Sequence, residues 1–424
     1  MNYKKTTLKN GLRIITAPMQ GTETVTVLVM SGVGSRYENK QEAGLSHFVE
    51  HMLFKGTKKR PNTLAISEEL DAIGGEFNAY TGKSRTAYYA KTDANHFNAA
   101  LDVISDIFLN SKIETKEINR ERGTILQEMS MYEDMPMRNV ADVFEKLLYG
   151  NQRLGREIIG TKKTVNNFTR KDFVQYLKRF YTAKNTVICV AGKFDEKKEL
   201  AKIKKSFSTI NLGEKEEFQK ITEKQDAPKL KIKNKKSDQT NFILGVRAYD
   251  MFHPDRYALK LLSVILGGNM SSRIYISVRE KLGLAYYIQT STDIYRDAGY
   301  LATQAGVEHK NLPKVIEAIL KEYKKIAQRK VGEKELQKAK DYIKGKTVMG
   351  LESSNAVAGF LIDQEIIKDE ILKPEQIFAK LDKVTVEDIQ RVARDIFVSE
   401  NLNLAVVGPH KNNKVKLEKV LKFD

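Results

Sequence analysis

The sequence predicts an α+β fold made of two homologous halves, each an antiparallel sheet packed with helices. Three observations carry this expectation. Asn167 to Gly192 (NFTRKDFVQYLKRFYTAKNTVICVAG) returns 216 residues later as Lys383 to Gly408 (KVTVEDIQRVARDIFVSENLNLAVVG). Period-2 runs (Thr26–Met30, Thr86–Thr92, Val187–Ala191) adjoin through short turns, while period-3.6 segments such as Asn95–Asn110 and Arg170–Phe180 come in runs; that grouping favours an antiparallel sheet over a doubly wound parallel one. A chain of 424 residues also exceeds one ordinary core and suits two or three domains.

Each element has a local reason. Thr24 to Arg36 is a β-rich run leading to a helix that ends in Lys55-Gly56, and Thr240 to Asp250 repeats it with a helix ending in Gly267-Gly268. After the Gly74-Gly75 turn, Asn78 to Thr81 reads as a strand. Tyr88 to Phe108 is an alternating strand, a turn and a helix, echoed by Tyr300 to Leu320. Thr169 and Thr385 stand just before amphipathic helices, where a hydroxyl caps the first turn, and the strands that follow close on Gly192 and Gly408. The polar, Lys- and Glu-rich stretch from Leu212 to Pro228 joins the halves, placing them at 1–215 and 230–424.

Composition narrows the function. Apolar residues are 41% and charged residues 30% of the chain, a globular rather than disordered balance. One cysteine, Cys189, excludes an internal disulfide framework and a multi-cysteine metal cluster. The N-terminal MNYKKTTLKNGLRIITAPM has no apolar core of a secretory signal, and Leu261 to Gly268 falls far short of the ~18 apolar residues of a membrane span, so a cytoplasmic protein is expected. The net charge of +18 is spread along the chain. Runs such as Lys229 to Lys236 (KLKIKNKK) alternate with apolar residues like a strand with a solvated face, so no nucleic acid is expected as partner.

Two of only six histidines fall in one pentad, His47-Phe48-Val49-Glu50-His51. On a helix His47 and His51 stand one turn apart on the same face and can share one ion. Glu50 borders that face, where a carboxylate can take a proton from water at the metal without itself ligating. This is the inverted order of H-E-x-x-H. The flanking Leu45, Phe48, Val49, Met52, Leu53 and Phe54 predict a buried helix, in which two histidines and a glutamate without an ion would be costly. A third ligand is required for catalytic zinc. Cys189 lies in a predicted strand core, and His96 and His253 read as cap or loop residues. The helix from Glu114 through Tyr132 offers Glu117, Glu121 and Glu128. Glu121 and Glu128 share a face ~10 Å apart along the axis, and spacing leaves open which one ligates.

GLSHFVEHMLFKGT (Gly44 to Thr57), GGEFNAYTGKSRTAYYAK (Gly74 to Lys91) and RERGTILQEM (Arg120 to Met129) resemble the mitochondrial-processing-peptidase-like branch of the pitrilysin/insulinase family of inverted zincins, over essentially the whole chain. The resemblance implies one Zn2+ per chain on His47, His51 and Glu128, with Glu50 as general base and Glu121 supporting the ligands. It implies a substrate-binding edge strand at Asn78 and Ala79 and a substrate-contacting R-x6-Y pair, Arg279 and Tyr286 in the second half. The family's chemistry is endopeptidase cleavage of unfolded or presequence-like peptides bound in extended form, here expected in a homodimer with a shared cleft. Two features mark limits on that expectation. The second half has LKLLSVI (Leu259 to Ile265) where a pentad would fall, so it holds no zinc. Only GGNMSS stands between Leu266 and Arg273, without the long glycine-rich insert of the processing peptidase's recognition subunit. The rival readings are a non-catalytic assembly subunit of the same fold and a basic nucleic-acid-binding protein.

Overall fold

The computed structural model describes residues 1–411 and 413–423; positions 412 and 424, within the expected 230–424 half, lie outside the described residues. The strands are β1 Lys4–Thr7, β2 Arg13–Pro18, β3 Thr24–Ser31, β4 Glu76–Thr81, β5 Thr86–Asp93, β6 Thr186–Gly192, β7 Lys229–Asn234, β8 Thr240–Ala248, β9 Ala285–Ile294, β10 Gly299–Val307 and β11 Leu402–Gly408. The helices used below are α1 Leu45–Leu53, α2 Phe97–Asn110, α3 Thr115–Asp134, α4 Pro136–Tyr149, α5 Arg170–Phe180, α6 Arg256–Gly267, α7 Leu312–Gln328, α8 Ser354–Lys368 and α9 Val386–Ile396.

The duplication is visible in the strand order. One sheet runs β1-β2-β6-β3-β5-β4 and the other β7-β11-β8-β10-β9, the same five-strand order apart from the added β1. Pairing agrees strand for strand: β3 is antiparallel to β5 and β6, as β8 is to β10 and β11. Both predicted caps form as capping boxes, Thr169 with Asp172 and Thr385 with Asp388.

The sheets are mixed rather than purely antiparallel, because β2 pairs parallel with β6 and β7 parallel with β11. Short turns announce only hairpins. Partners at opposite ends of a half are separated by its other three strands and their helices, a connection long enough for parallel pairing that leaves no local signal.

The units of packing differ from the sequence halves. One compact unit holds 1–129, 156–219 and 347–374; the other holds 130–155, 220–346 and 375–424. Central strands explain the exchange. Every residue of β6 and of β11 is buried, so each sheet needs cover on both faces. In the first unit Val357, Leu361 and Ile362 of α8 pack on Leu28, Met30 and Cys189. In the second, Val140, Phe144 and Leu148 of α4 pack on Ile243, Ala405 and Val407. Its other face carries α6, α7 and α9 in one large core. Polar contacts anchor α8. Ser354 Oγ lies 2.8 Å from Thr26 Oγ1, and the buried Glu365 carboxylate meets Lys5 at 3.1 Å and Arg13 at 3.3 Å.

A candidate metal centre on helix α1

Helix α1 is clamped by apolar neighbours: Phe48 packs edge-on against Phe173 of α5 with ring centroids 4.9 Å apart, and Val49, Met52 and Leu53 are fully buried. The remaining face turns His47, Glu50 and His51 toward α3. Nε2 of His47 and Nε2 of His51 each lie 3.7 Å from Glu128 Oε2, and the imidazole centroids are 4.6 Å apart. Among the described residues this is the one group of three or more His, Cys, Asp or Glu donors close enough to hold an ion.

The two glutamates left open by spacing separate here. Glu128 faces both Nε2 atoms, whereas Glu121 Oε1 lies 2.8 Å from His51 Nδ1 and its Oε2 lies 2.6 Å from Lys55 Nζ. A carboxylate only accepts, so Nδ1 of His51 carries a proton toward Glu121; burial lowers the His51 pKa, but that hydrogen bond and the nearby Glu121, Glu128 and Glu50 carboxylates outweigh it and raise it, and Nε2 is the atom turned toward Glu128. Burial alone would raise the Glu121 pKa, but hydrogen bonds from His51 and Lys55 outweigh it and hold the carboxyl below the usual range. Burial, then the neighbouring His51, pushes His47 down to about 3, leaving a neutral imidazole. Glu117 is engaged elsewhere, with Arg120 at 3.1 Å.

Glu50 has a partner that sequence reasoning did not supply. Thr81 Oγ1, at the end of β4, donates to Glu50 Oε2. Burial raises the Glu50 pKa, opposed by that hydrogen bond and by His51. Thr81 stands inside the quoted NAYT run, yet nothing local marks it, because the contact spans 31 residues. Lys55 is the other unforeseen neighbour.

The donor set fits zinc. Two imidazole nitrogens, with any Nε2 proton of His51 given up on binding, and one carboxylate oxygen make the three-ligand set of a catalytic site. Ligand atoms bound tetrahedrally at ~2.0–2.1 Å stand roughly 3.4 Å apart, close to the 3.7 Å separations here. Of the four remaining histidines, His96 stands at the N-cap of α2, His253 stacks on Tyr249 at 3.8 Å, and His309 and His410 both bond Thr240. Cys189 is buried in β6, and burial pushes its thiol pKa up.

Asn78 and Ala79 lie on β4, which is the outer strand of its sheet, paired only with β5. Arg279 and Tyr286 belong to the other compact unit. The six residues from Tyr275 to Glu280 form a π-helical turn. The Arg279 guanidinium lies 5.0 Å from the Tyr275 ring and 5.4 Å from the Tyr286 ring, within cation–π range of both. Tyr286, at the start of β9, is 81% exposed.

Residues 13–162 match the family model "Insulinase (Peptidase family M16)", and residues 167–343 match "Peptidase M16 inactive domain". The chain belongs to the M16 peptidase family. An uncharacterized zinc protease of Rickettsia felis is 35% identical over 410 residues, covering 96% of this chain and 98% of the relative. The uncharacterized zinc protease YmxG of Bacillus subtilis is 34% identical over 416 residues, covering 96% and 99%. The names of these M16 relatives support a zinc peptidase. A crystal structure of a protease from Helicobacter pylori shares the fold, with a TM-score of 0.89 at 24% identity over 96% of this chain and 99% of that one. So does an M16 inactive-domain structure from Pseudomonas fluorescens, with a TM-score of 0.88 at 17% identity over 96% and 98%. No described helix is long and apolar enough to cross a membrane.

Proposed function

We propose that this M16 member is a zinc endopeptidase that cleaves extended peptides, with one zinc per chain held by His47, His51 and Glu128. The observation that carries the reading is the convergence of these three donors beside a half-buried carboxylate, Glu50, that stands outside the donor group and is oriented by Thr81. Bound there, zinc supplies Lewis-acid polarisation and lowers the pKa of water. Glu50 is the general base: Thr81 occupies Oε2, so Oε1 takes the proton from the attacking water and delivers it to the leaving amine nitrogen. Glu121 fixes the His51 ring and its tautomer through Nδ1, and Lys55 keeps Glu121 ionised for that task.

The free edge of the outer strand β4 at Asn78 and Ala79 receives an extended chain, with the Ala79 N–H, bonded to Asn78 Oδ1 at 2.8 Å, released to it; strand addition gives affinity with little sequence selectivity. Arg279, within cation–π range of Tyr275 and Tyr286, and the exposed Tyr286 are the substrate-contacting pair of the second half. Unfolded and presequence-like peptides are substrates because only they can lie along a strand edge.

Glu50→Gln tests the reading with a quenched peptide and metal analysis. The variant should retain zinc and lose turnover by about 10²–10⁴-fold, the range of a general base. Chelator should abolish wild-type cleavage. Near-normal turnover in Glu50→Gln would remove Glu50 from the mechanism.

A further inference from the structure

Helix α1 begins without the residue that such a helix needs. The first N–H groups of a helix have no intrahelical acceptor, and a Ser, Thr, Asp or Asn at the N-cap supplies one. Here the N-cap is Gly44, at φ +97 with no side chain to offer. No other residue fits, since a Cβ at position 44 would stand 2.6 Å from the Ile159 carbonyl oxygen and 2.9 Å from Gly160 Cα. The acceptor comes from six residues upstream. Gly44 N–H donates to Glu38 Oε2 at 2.8 Å, while Ser46 donates to Glu38 Oε1 from its N–H at 2.7 Å and from its hydroxyl at 2.6 Å. The side chain of Glu38 is fully buried at the N-terminal end of α1.

The segment that carries Glu38 is tied to the other support of Glu50. Ser35 N–H donates to the Gly82 carbonyl at 3.2 Å and Arg36 N–H to the Lys83 carbonyl at 2.9 Å. Arg156 donates to the Glu38 carbonyl at 2.8 Å, and Lys83 Nζ donates to the Arg156 carbonyl at 2.6 Å. Gly34 approaches so closely that a Cβ there would lie 2.2 Å from the Gly82 oxygen. Gly82 directly follows Thr81, the donor to Glu50, and Ser46 directly precedes His47.

We propose that Glu38 is a positioning residue for the zinc-ligand helix: its carboxylate replaces the missing N-cap and, through the segment beside Gly82, holds α1 in register with Thr81. This rests on the peptidase reading above. A group that only filled volume would be replaced by glutamine without consequence. A group that accepts two N–H donors on two oxygens would not, because either orientation of the amide turns its NH2 toward the N–H of Gly44 or of Ser46.

Glu38→Gln should lower kcat about ten- to a hundredfold, the effect of misplacing a catalytic group by about 1 Å, while KM stays within about twofold. With cobalt in place of zinc, its visible spectrum should differ from the wild type. In the metal-free protein, amide exchange across residues 44–48 should speed about tenfold while exchange in α5 is unchanged, a loss of local but not global protection. Ser46→Ala removes one donor and keeps both N–H groups, so it should show a smaller change in the same direction and serves if Glu38→Gln does not fold. Unaltered exchange and an unaltered cobalt spectrum in Glu38→Gln overturn the proposal. A wild type that binds no metal or cleaves no peptide overturns the peptidase reading instead, while the exchange result still decides the role of Glu38.

Discussion

Helices α1 and α6 occupy equivalent places, each following the strand (β3 or β8) that pairs with the end-of-half strand, and they have opposite interiors. Along α6, Leu259, Leu261, Leu262, Val264 and Ile265 all join the second unit's core. Along α1 the apolar face is equally buried, but the rest of the helix carries two imidazoles and a carboxylate that is drawn from water. The sheet order is shared, so the fold does not require the site; the site is a polar burden laid on one copy of a fold that the other copy fills with leucine. That burden needs external support, which Glu38, Glu121, Thr81 and Lys55 supply in the first unit.

The sharpest test of this asymmetry is metal content. Wild type should bind one zinc per chain, and Glu128→Ala should lose both the metal and all measurable cleavage, as elemental analysis and a peptide assay would read. Two zincs per chain would erase the distinction between the copies.

Next in size is the reciprocal cover of the sheets. Leu361→Ala, on the buried face of α8, should destabilise the first unit by about 2–5 kcal/mol, and Phe144→Ala on α4 the second by about 3–5 kcal/mol. Denaturant midpoints measure both, and cleavage per folded molecule should be unchanged, since neither side chain touches the metal centre. Loss of activity in step with neither unit's stability would mean that these helices do more than cover a sheet.

A further effect is a pH dependence. Burial pushes Glu38 up to about 7 against the hydrogen bonds of Ser46 and Gly44. Its native pKa lies above the unfolded value near 4.5, so the folded protein binds the proton more tightly. Stability from this group is present below about pH 4.5 and is lost as pH rises through about 7, by about 3 kcal/mol in all. The stability difference between wild type and Glu38→Gln should therefore shrink across that window. A difference that grows with pH would contradict the burial of the carboxylate.

Much of this protein is readable from local pattern. The 216-residue repeat, the two capping threonines, the alternating strands and the His47–His51 pentad all lie in contiguous residues, where periods of 2 and 3.6 and the spacing of one helical turn determine which faces meet. The same spacing places Glu121 and Glu128 on one side of α3. It cannot assign their roles, because the distinction depends on which imidazole nitrogen each reaches across to another helix.

What the tertiary structure alone decided is of one kind. The parallel pairing of β2 with β6, the cover of each sheet by a helix from the other half, and the contacts Thr81–Glu50 and Glu38–Ser46 join residues that no repeat or period connects. A carboxylate six residues before a glycine looks like any loop glutamate until Ile159 and Gly160 close over that glycine and forbid it a side chain. Local periodicity thus determined the duplicated α+β fold and the metal-binding face. Steric exclusion and hydrogen-bond satisfaction between distant segments decided which neighbours hold that face in place, because both depend on the finished packing.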